Sequence, residues 1–147
     1  MKVKIKKLHD DAVIPTYGSE GAAGFDFYAL EDVTIKAGCT NLVKTGLSFE
    51  IPIGYELQVR PRSGMSLKTS FRVANSPGTV DSDYRGEVCI IGQNNSIVID
   101  FGDIFIKKGD RIAQGVLCPV YQAEFELIGE LSDTERGTGG FGHTGIK

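Results

Sequence analysis

At 147 residues, with 41% hydrophobic and 24% charged side chains, the chain is long enough for one domain with a real core and offers little room for a second. A net charge of −3 gives no global attraction to nucleic acid or to a membrane surface, so neither is expected as a partner. Three cysteines, Cys39, Cys89 and Cys118, stand far apart without CxxC spacing; this argues against a disulfide framework or a zinc site and for a reducing, cytoplasmic or otherwise intracellular setting.

The first predicted element, in MKVKIKKL, alternates lysine with Val3 and Ile5 and reads as an amphipathic strand, not as a targeting signal. No apolar run in the chain approaches the ~20 residues needed to span a bilayer. AAGFDFYA (22–29) then sets Asp26 in an apolar stretch, where a carboxylate needs a partner. Arg85 and Arg111 are candidates for an ion pair, and a role in binding is an equal alternative. DVTIK, NLVKTGLSFEI and YELQVR follow as period-two strands rich in β-branched and aromatic residues.

PRSGMS offers Arg62 for an anion, followed by Ser63 and Gly64 at the start of the one predicted helix, SGMSLK, whose first turn Ser63 would cap. The next stretch, GTVDSDYRGE (78–87), crowds three carboxylates, a tyrosine and two glycines together. From Asn75 to Cys89 the pattern predicts a hairpin about Ser82 that sets those two residues opposite each other and holds a flat ring between its arms. Asp83 and Arg85 read as turn chemistry, and Glu87 as strand chemistry. Asp81 follows Thr79 and Val80, so it points into whatever the arms enclose, a carboxylate at a buried edge and a candidate general base for a water. EVCII, SIVIDF and DIFIKK continue the strand pattern, and KKGDRIAQG turns into a strand carrying Gln114, a candidate phosphate donor.

AEFELI is the last predicted strand. Many short strands separated by Gly and Pro predict an all-β domain, a distorted jelly roll or β-barrel with one short helix, over residues 1–128. Residues 129–147 are rich in glycine and poor in large apolar side chains, which predicts a flexible arm. In that arm Arg136 is placed to pair with an anion, and Phe141, beside Gly142, to stack on a ring. The two histidines, His9 and His143, lie in no ligand-spaced cluster, and there is no GxxxxGK[ST] loop. Phosphate chemistry here would rest on scattered side-chain and backbone donors, with Mg²⁺ carried by the substrate and not by direct protein ligands.

AGFDFYA, PRSGMS, GTVDSDYRGE, GDRIAQ and RGTGGFGHTG, in this order and at these separations, resemble the five motifs of the homotrimeric dUTPases over nearly the whole chain. The resemblance implies a jelly-roll trimer whose active sites are shared between subunits, one subunit's arm closing a site built by others. It implies hydrolysis of dUTP to dUMP and pyrophosphate, which keeps uracil out of DNA and supplies dUMP for thymidylate synthesis. By position, Asp81 corresponds to the base that activates water at the α-phosphorus, and Tyr84 to the residue under the deoxyribose. Asn75, the backbone from Gly78 through Thr79 and Val80 to Asp81, and the neighbourhood of Cys89 correspond to the uracil reader. Arg62, Ser63, Gly64 and Gln114 correspond to phosphate contacts, Arg136 to the γ-phosphate clamp, and Phe141 with Gly142 to the lid. The sequence departs from the family pattern at His143, where serine is usual and Thr144 keeps a hydroxyl nearby, and at Gly115, where a larger apolar residue is usual. Alternatives on the same scaffold are a dCTP deaminase-like enzyme and a catalytically silent nucleotide-binding protein.

Overall fold

In the computed structural model of the chain, residues 1–97, 102–143 and 145 are described. The elements in chain order are β1 (Lys4–Lys7), β2 (Phe25–Tyr28), β3 (Val33–Ile35), β4 (Thr40–Lys44), β5 (Leu47–Glu50), β6 (Tyr55–Arg60), α1 (Ser63–Lys68), β7 (Phe71–Val73), β8 (Gly78–Val80), β9 (Cys89–Asn94), β10 (Ile104–Ile106) and β11 (Arg111–Pro119). They form small antiparallel sheets, ordered β2-β11-β6-β8, β4-β9-β7, β1-β5 and β10-β3, around one core. This is the all-β, jelly-roll-like architecture with one short helix that the strand pattern predicts. No helix among the described residues is long and apolar enough to cross a membrane.

Period-two alternation does the sorting. In β6, Leu57 and Val59 are buried while Glu56, Gln58 and Arg60 share the other face. There they form a ladder: Arg60 Nε donates to Gln58 Oε1 at 2.9 Å, and Gln58 Nε2 donates to Glu56 Oε1 at 2.6 Å. Within the core, Phe27 meets Phe25 and Phe49 edge-on, with ring centroids 5.4 and 5.9 Å away. Gly115 lies opposite Phe25 in the β11–β2 ladder, and a Cβ there would stand 2.5 Å from the Phe25 ring. The space a larger residue would fill at 115 is therefore taken by phenylalanine.

One fully buried polar side chain staples three segments. Asn94 Nδ2 donates to the carbonyls of Ile35 and Gly102 at 2.9 and 2.6 Å, and its Oδ1 accepts from Ser70 Oγ at 2.6 Å and the Ser96 amide at 3.0 Å. All four bonding capacities of the amide are used, as burial demands.

The fold departs from the sequence reading at particular places. NLVKTGLSFEI is two strands, because Gly46 takes φ +70° between β4 and β5. AEFELI forms no strand: Phe125 and Leu127 are each more than nine-tenths exposed. Alternation marks it for pairing, but among the described residues no strand edge meets it. Residues 98–101, most of SIVIDF, lie outside the described residues. Ser63 does not cap α1; it is the first helical residue, the extended Arg62 occupies the cap position, and no side chain bonds there.

Asn94→Ala leaves the carbonyls of Ile35 and Gly102 without donors. It should cost about 3 kcal/mol of stability, read from the urea midpoint at constant m-value.

Candidate active site

β4 pairs with β9 along one edge from Cys89 to Gln93, and β7 pairs along the other only from Gly92 to Asn94, so β8 is not a partner of β9. β8 pairs with β6 instead, Leu57 opposite Val80 and Val59 opposite Gly78. The arms of the 75–89 stretch are thus not a two-stranded hairpin, and Asn75 does not face Cys89 across a ladder. The chain leaves one sheet after β7, crosses to the other for β8, and returns through residues 81–88. Where the sheets part, a cavity of about 320 Å³ opens, lined by Leu42, Thr79, Val80, Asp81, Tyr84, Glu87, Val88, Cys89 and Ile91. This slot lies where the arms diverge and not where they pair.

Five predicted site residues, Thr79, Val80, Asp81, Tyr84 and Cys89, line this slot. Asn75 and Gly78 do not line it; a Cβ on Gly78 would come within 2.8 Å of Asn75 Nδ2, so glycine there lets that amide lie against the start of β8. Asp81 is exposed on the single chain, not half-buried as its apolar neighbours suggested, because β8 ends at Val80 and the carboxylate begins the turn. The turn closes with the Tyr84 amide donating to the Asp81 carbonyl at 3.2 Å. Asp81 and Thr79 also border a larger concavity of about 840 Å³ on the other side of the turn, which includes Tyr55, Glu56 and Asp83. Leu42, Val88 and Ile91 went unnoticed as lining residues; their only signal was alternation, which puts Leu42 on the opposite face from buried Val43.

Arg62, Ser63, Gly64 and Gln114 form a second group. Arg62 Nε donates to Asp26 Oδ1 at 2.7 Å, and Arg111 Nη1 reaches Asp26 Oδ2 at 3.2 Å. Asp26 thus has the ion pair its surroundings demand, with Arg62 and Arg111 and not with Arg85. Arg62 Nη1 also donates to the Arg111 carbonyl at 3.1 Å, and among the described residues no partner meets its Nη2. Two guanidiniums on one carboxylate leave a surplus positive charge beside the exposed Ser63 and Gly64. Gln114 Nε2 donates to the Pro61 carbonyl at 2.8 Å, which ties β11 to the entry of α1.

The arm forms a third group. Arg136 Nε donates to the Gly139 carbonyl at 2.8 Å, and Arg136 and Gly142 border a concavity of about 620 Å³ with Thr134, Glu135 and His143. Phe141 is fully exposed at φ +50°. Thr144 lies outside the described residues. Neither the Arg62 group nor the arm residues line the slot beside Tyr84. Among the described residues, no three His, Cys, Asp or Glu side chains gather as a metal cage.

A family model described as dUTPase matches residues 10–145. The chain belongs to the dUTPase family. The deoxyuridine 5'-triphosphate nucleotidohydrolase of Nautilia profundicola is 56% identical over 146 residues, covering 99% of both chains. That of Helicobacter pylori strain P12 is 51% identical, covering 99% of this chain and 98% of its own. Among solved dUTPase structures, that of Staphylococcus bacteriophage 80alpha with dUpNHpp aligns over 99% of each chain at TM-score 0.91 and 28% identity. A variant of the dUTPase from phage phi11 of S. aureus, described with a structural Mg(II) ion, aligns over 90% of this chain and all of its own at TM-score 0.84 and 26% identity.

In this dUTPase-family chain the slot also holds a thiol. Burial raises the pKa of Cys89, the negative charge of Glu87 adds to the rise, and Lys44 opposes it. Less thiolate is then present at any given pH, so a maleimide at pH 7.5 should label exposed Cys39 first and Cys89 at least ~10-fold more slowly. Labelling at Cys89 should accelerate as pH rises beyond the ordinary thiol range, followed site by site by mass spectrometry.

Proposed function

We propose that the chain hydrolyses dUTP to dUMP and pyrophosphate, with Asp81 as the base and the slot beside Tyr84 as the nucleoside site. The observation that carries this reading is the convergence of Thr79, Val80, Asp81, Tyr84 and Cys89 on one cavity between diverging sheets. Uracil enters the slot and is read by Asn75, by the backbone from Gly78 to Asp81 and by the chain near Cys89. Tyr84 packs under the deoxyribose, where a 2′-hydroxyl has no room. The dUTPase relatives and the phage enzyme with dUpNHpp support the same substrate class.

Asp81 orients a water toward the α-phosphorus and takes its proton; the new bond forms from the water oxygen to that phosphorus. The bond from the α-phosphorus to the bridging oxygen breaks, and pyrophosphate leaves with the electron pair. Arg62, the backbone at Ser63 and Gly64, and Gln114 bind the phosphates, their charge and dipoles matching the negative charge that grows on the oxygens. For Gln114 this requires sharing or exchanging its bond to Pro61. Mg²⁺ enters on the triphosphate as part of the substrate and holds it in one conformation. The product removes uracil nucleotide from the DNA precursor pool and supplies dUMP.

Because the Arg62 group and the arm lie apart from the slot on one chain, the complete site is built between subunits of a homotrimer. Residues 1–128 form the body and 129–147 the arm, which brings Arg136 to the γ-phosphate and closes Phe141 and Gly142 over uracil.

Asp81→Asn should lower kcat by ~100-fold or more with nucleotide binding nearly unchanged, measured as pyrophosphate release and as titration with a non-hydrolysable analogue. Near-normal turnover would remove Asp81 from the base role. Truncation after Glu130 should leave the melting temperature in place and abolish most turnover. Pyrophosphate release across dUTP, dTTP, dCTP and UTP should be confined to dUTP, whereas ammonia from dCTP would mark a deaminase.

A further inference from the structure

Four hydrogen bonds tie the segment that follows Tyr84 to residues 45–48. Ser48 Oγ donates to the Arg85 carbonyl at 2.7 Å, and the Gly46 amide donates to Glu87 Oε1 at 2.7 Å. The Val88 amide donates to the Leu47 carbonyl at 2.8 Å, and Thr45 Oγ1 donates to the Val88 carbonyl at 2.6 Å. Thr45 and Ser48 are 1% and 5% exposed, so their hydroxyls are committed to these bonds and have no water to exchange with. Gly46 can present its amide to Glu87 only as glycine, since φ is +70° and a Cβ would stand 2.8 Å from the Ala12 side chain.

The Tyr84 ring lies on top of this clamp. Its hydroxyl donates to the Glu87 carbonyl at 3.0 Å, which fixes the far end of the side chain. Between the two ends it crosses Gly86 so closely that a Cβ there would stand 2.3 Å from the tyrosine oxygen and 2.5 Å from Cζ. The ring can occupy this place only while residue 86 has no side chain. It is 46% exposed, so packing on its open side does little to hold it, and the clamp beneath supplies the constraint.

We propose that Gly86 and Glu87, anchored by Thr45, Gly46 and Ser48, are positioning residues that fix the Tyr84 ring and thereby set discrimination against a ribose 2′-hydroxyl. The proposal rests on the reading of Tyr84 as the surface under the sugar. Refusing a single hydroxyl by steric contact needs a wall that does not give way. A ring free to swing about its χ angles yields to ribose, and a displacement of about 1 Å is enough to lose selectivity.

The test is kcat/KM for dUTP and for UTP in the full-length enzyme and in Gly86→Ala, Glu87→Ala, Glu87→Gln and Tyr84→Ala, with melting temperatures for each. Gly86→Ala and Glu87→Ala should lower the dUTP:UTP ratio by about tenfold or more. Glu87→Gln keeps the Oε1 acceptor for Gly46 and should restore the ratio. General loosening of the fold would lower both substrates together, so an unchanged ratio in Gly86→Ala and Glu87→Ala overturns the proposal. If Gly86→Ala does not fold, the Glu87→Ala and Glu87→Gln pair decides the matter alone. A ratio unchanged in Tyr84→Ala overturns the sugar-surface reading itself. A ratio that collapses in Tyr84→Ala but holds in the clamp variants overturns only the clamp.

Discussion

The slot beside Tyr84 depends on one constraint of β-sheet pairing, namely that β8 is committed to a different sheet from β9. β9 pairs with β4 along one edge and, from Gly92 to Asn94, with β7 along the other, while β8 pairs with β6. The chain between them has to cross from sheet to sheet and back, and the side chains of that crossing line the gap. Had β8 and β9 paired, their backbones would lie about 5 Å apart and no ring would fit between them. The void follows from this divergence of β8 and β9 into two sheets, and apolar side chains from Val80, Val88 and Ile91 line it without closing it.

A second organising interaction is the carboxylate of Asp26. Its side chain is about one-fifth exposed and holds two guanidiniums, one from the cap position of α1 and one from the start of β11. The pairing offsets the desolvation of Asp26 and fixes Arg62 before any anion arrives. Ordering a long, rotamer-rich side chain in advance lowers the entropy cost of binding. The same carboxylate that looks unfavourable next to the proposed phosphate site therefore serves to hold its cation in place.

Local signals in the sequence carried most of the strands. Alternation in YELQVR and EVCII reports which face is buried, because a side chain's face depends only on its position in the strand. Signals that need a partner across the chain were harder to read. Asp26 announced its need for an arginine, but which arginine depends on β6 and β11 lying side by side. AEFELI carries a strand pattern but pairs with no strand among the described residues. Ser63 looked like a cap by residue type alone, yet the extended residue that ends the approach to α1 is Arg62. Thr79, Val80, Asp81, Tyr84 and Cys89 were legible as a group that the fold gathers at one cavity; the geometry that gathers them was not. The hairpin assumed for 75–89 failed because sheet edges cannot be counted from one segment, and Glu87 read as plain strand chemistry because its partner, Gly46, is 41 positions away.

Gly115 and Phe25 face each other in neighbouring strands, and the phenyl ring occupies the volume that a side chain at 115 would need. The two positions therefore behave as one unit of volume distributed over two segments. A larger residue at 115 alone overpacks the core, and a smaller one at 25 alone opens a cavity, each at a cost of a few kcal/mol. The exchange of both together conserves volume, so their effects should not add. Either position can therefore change size only in step with the other, which leaves this part of the core less tolerant of single substitutions than of paired ones.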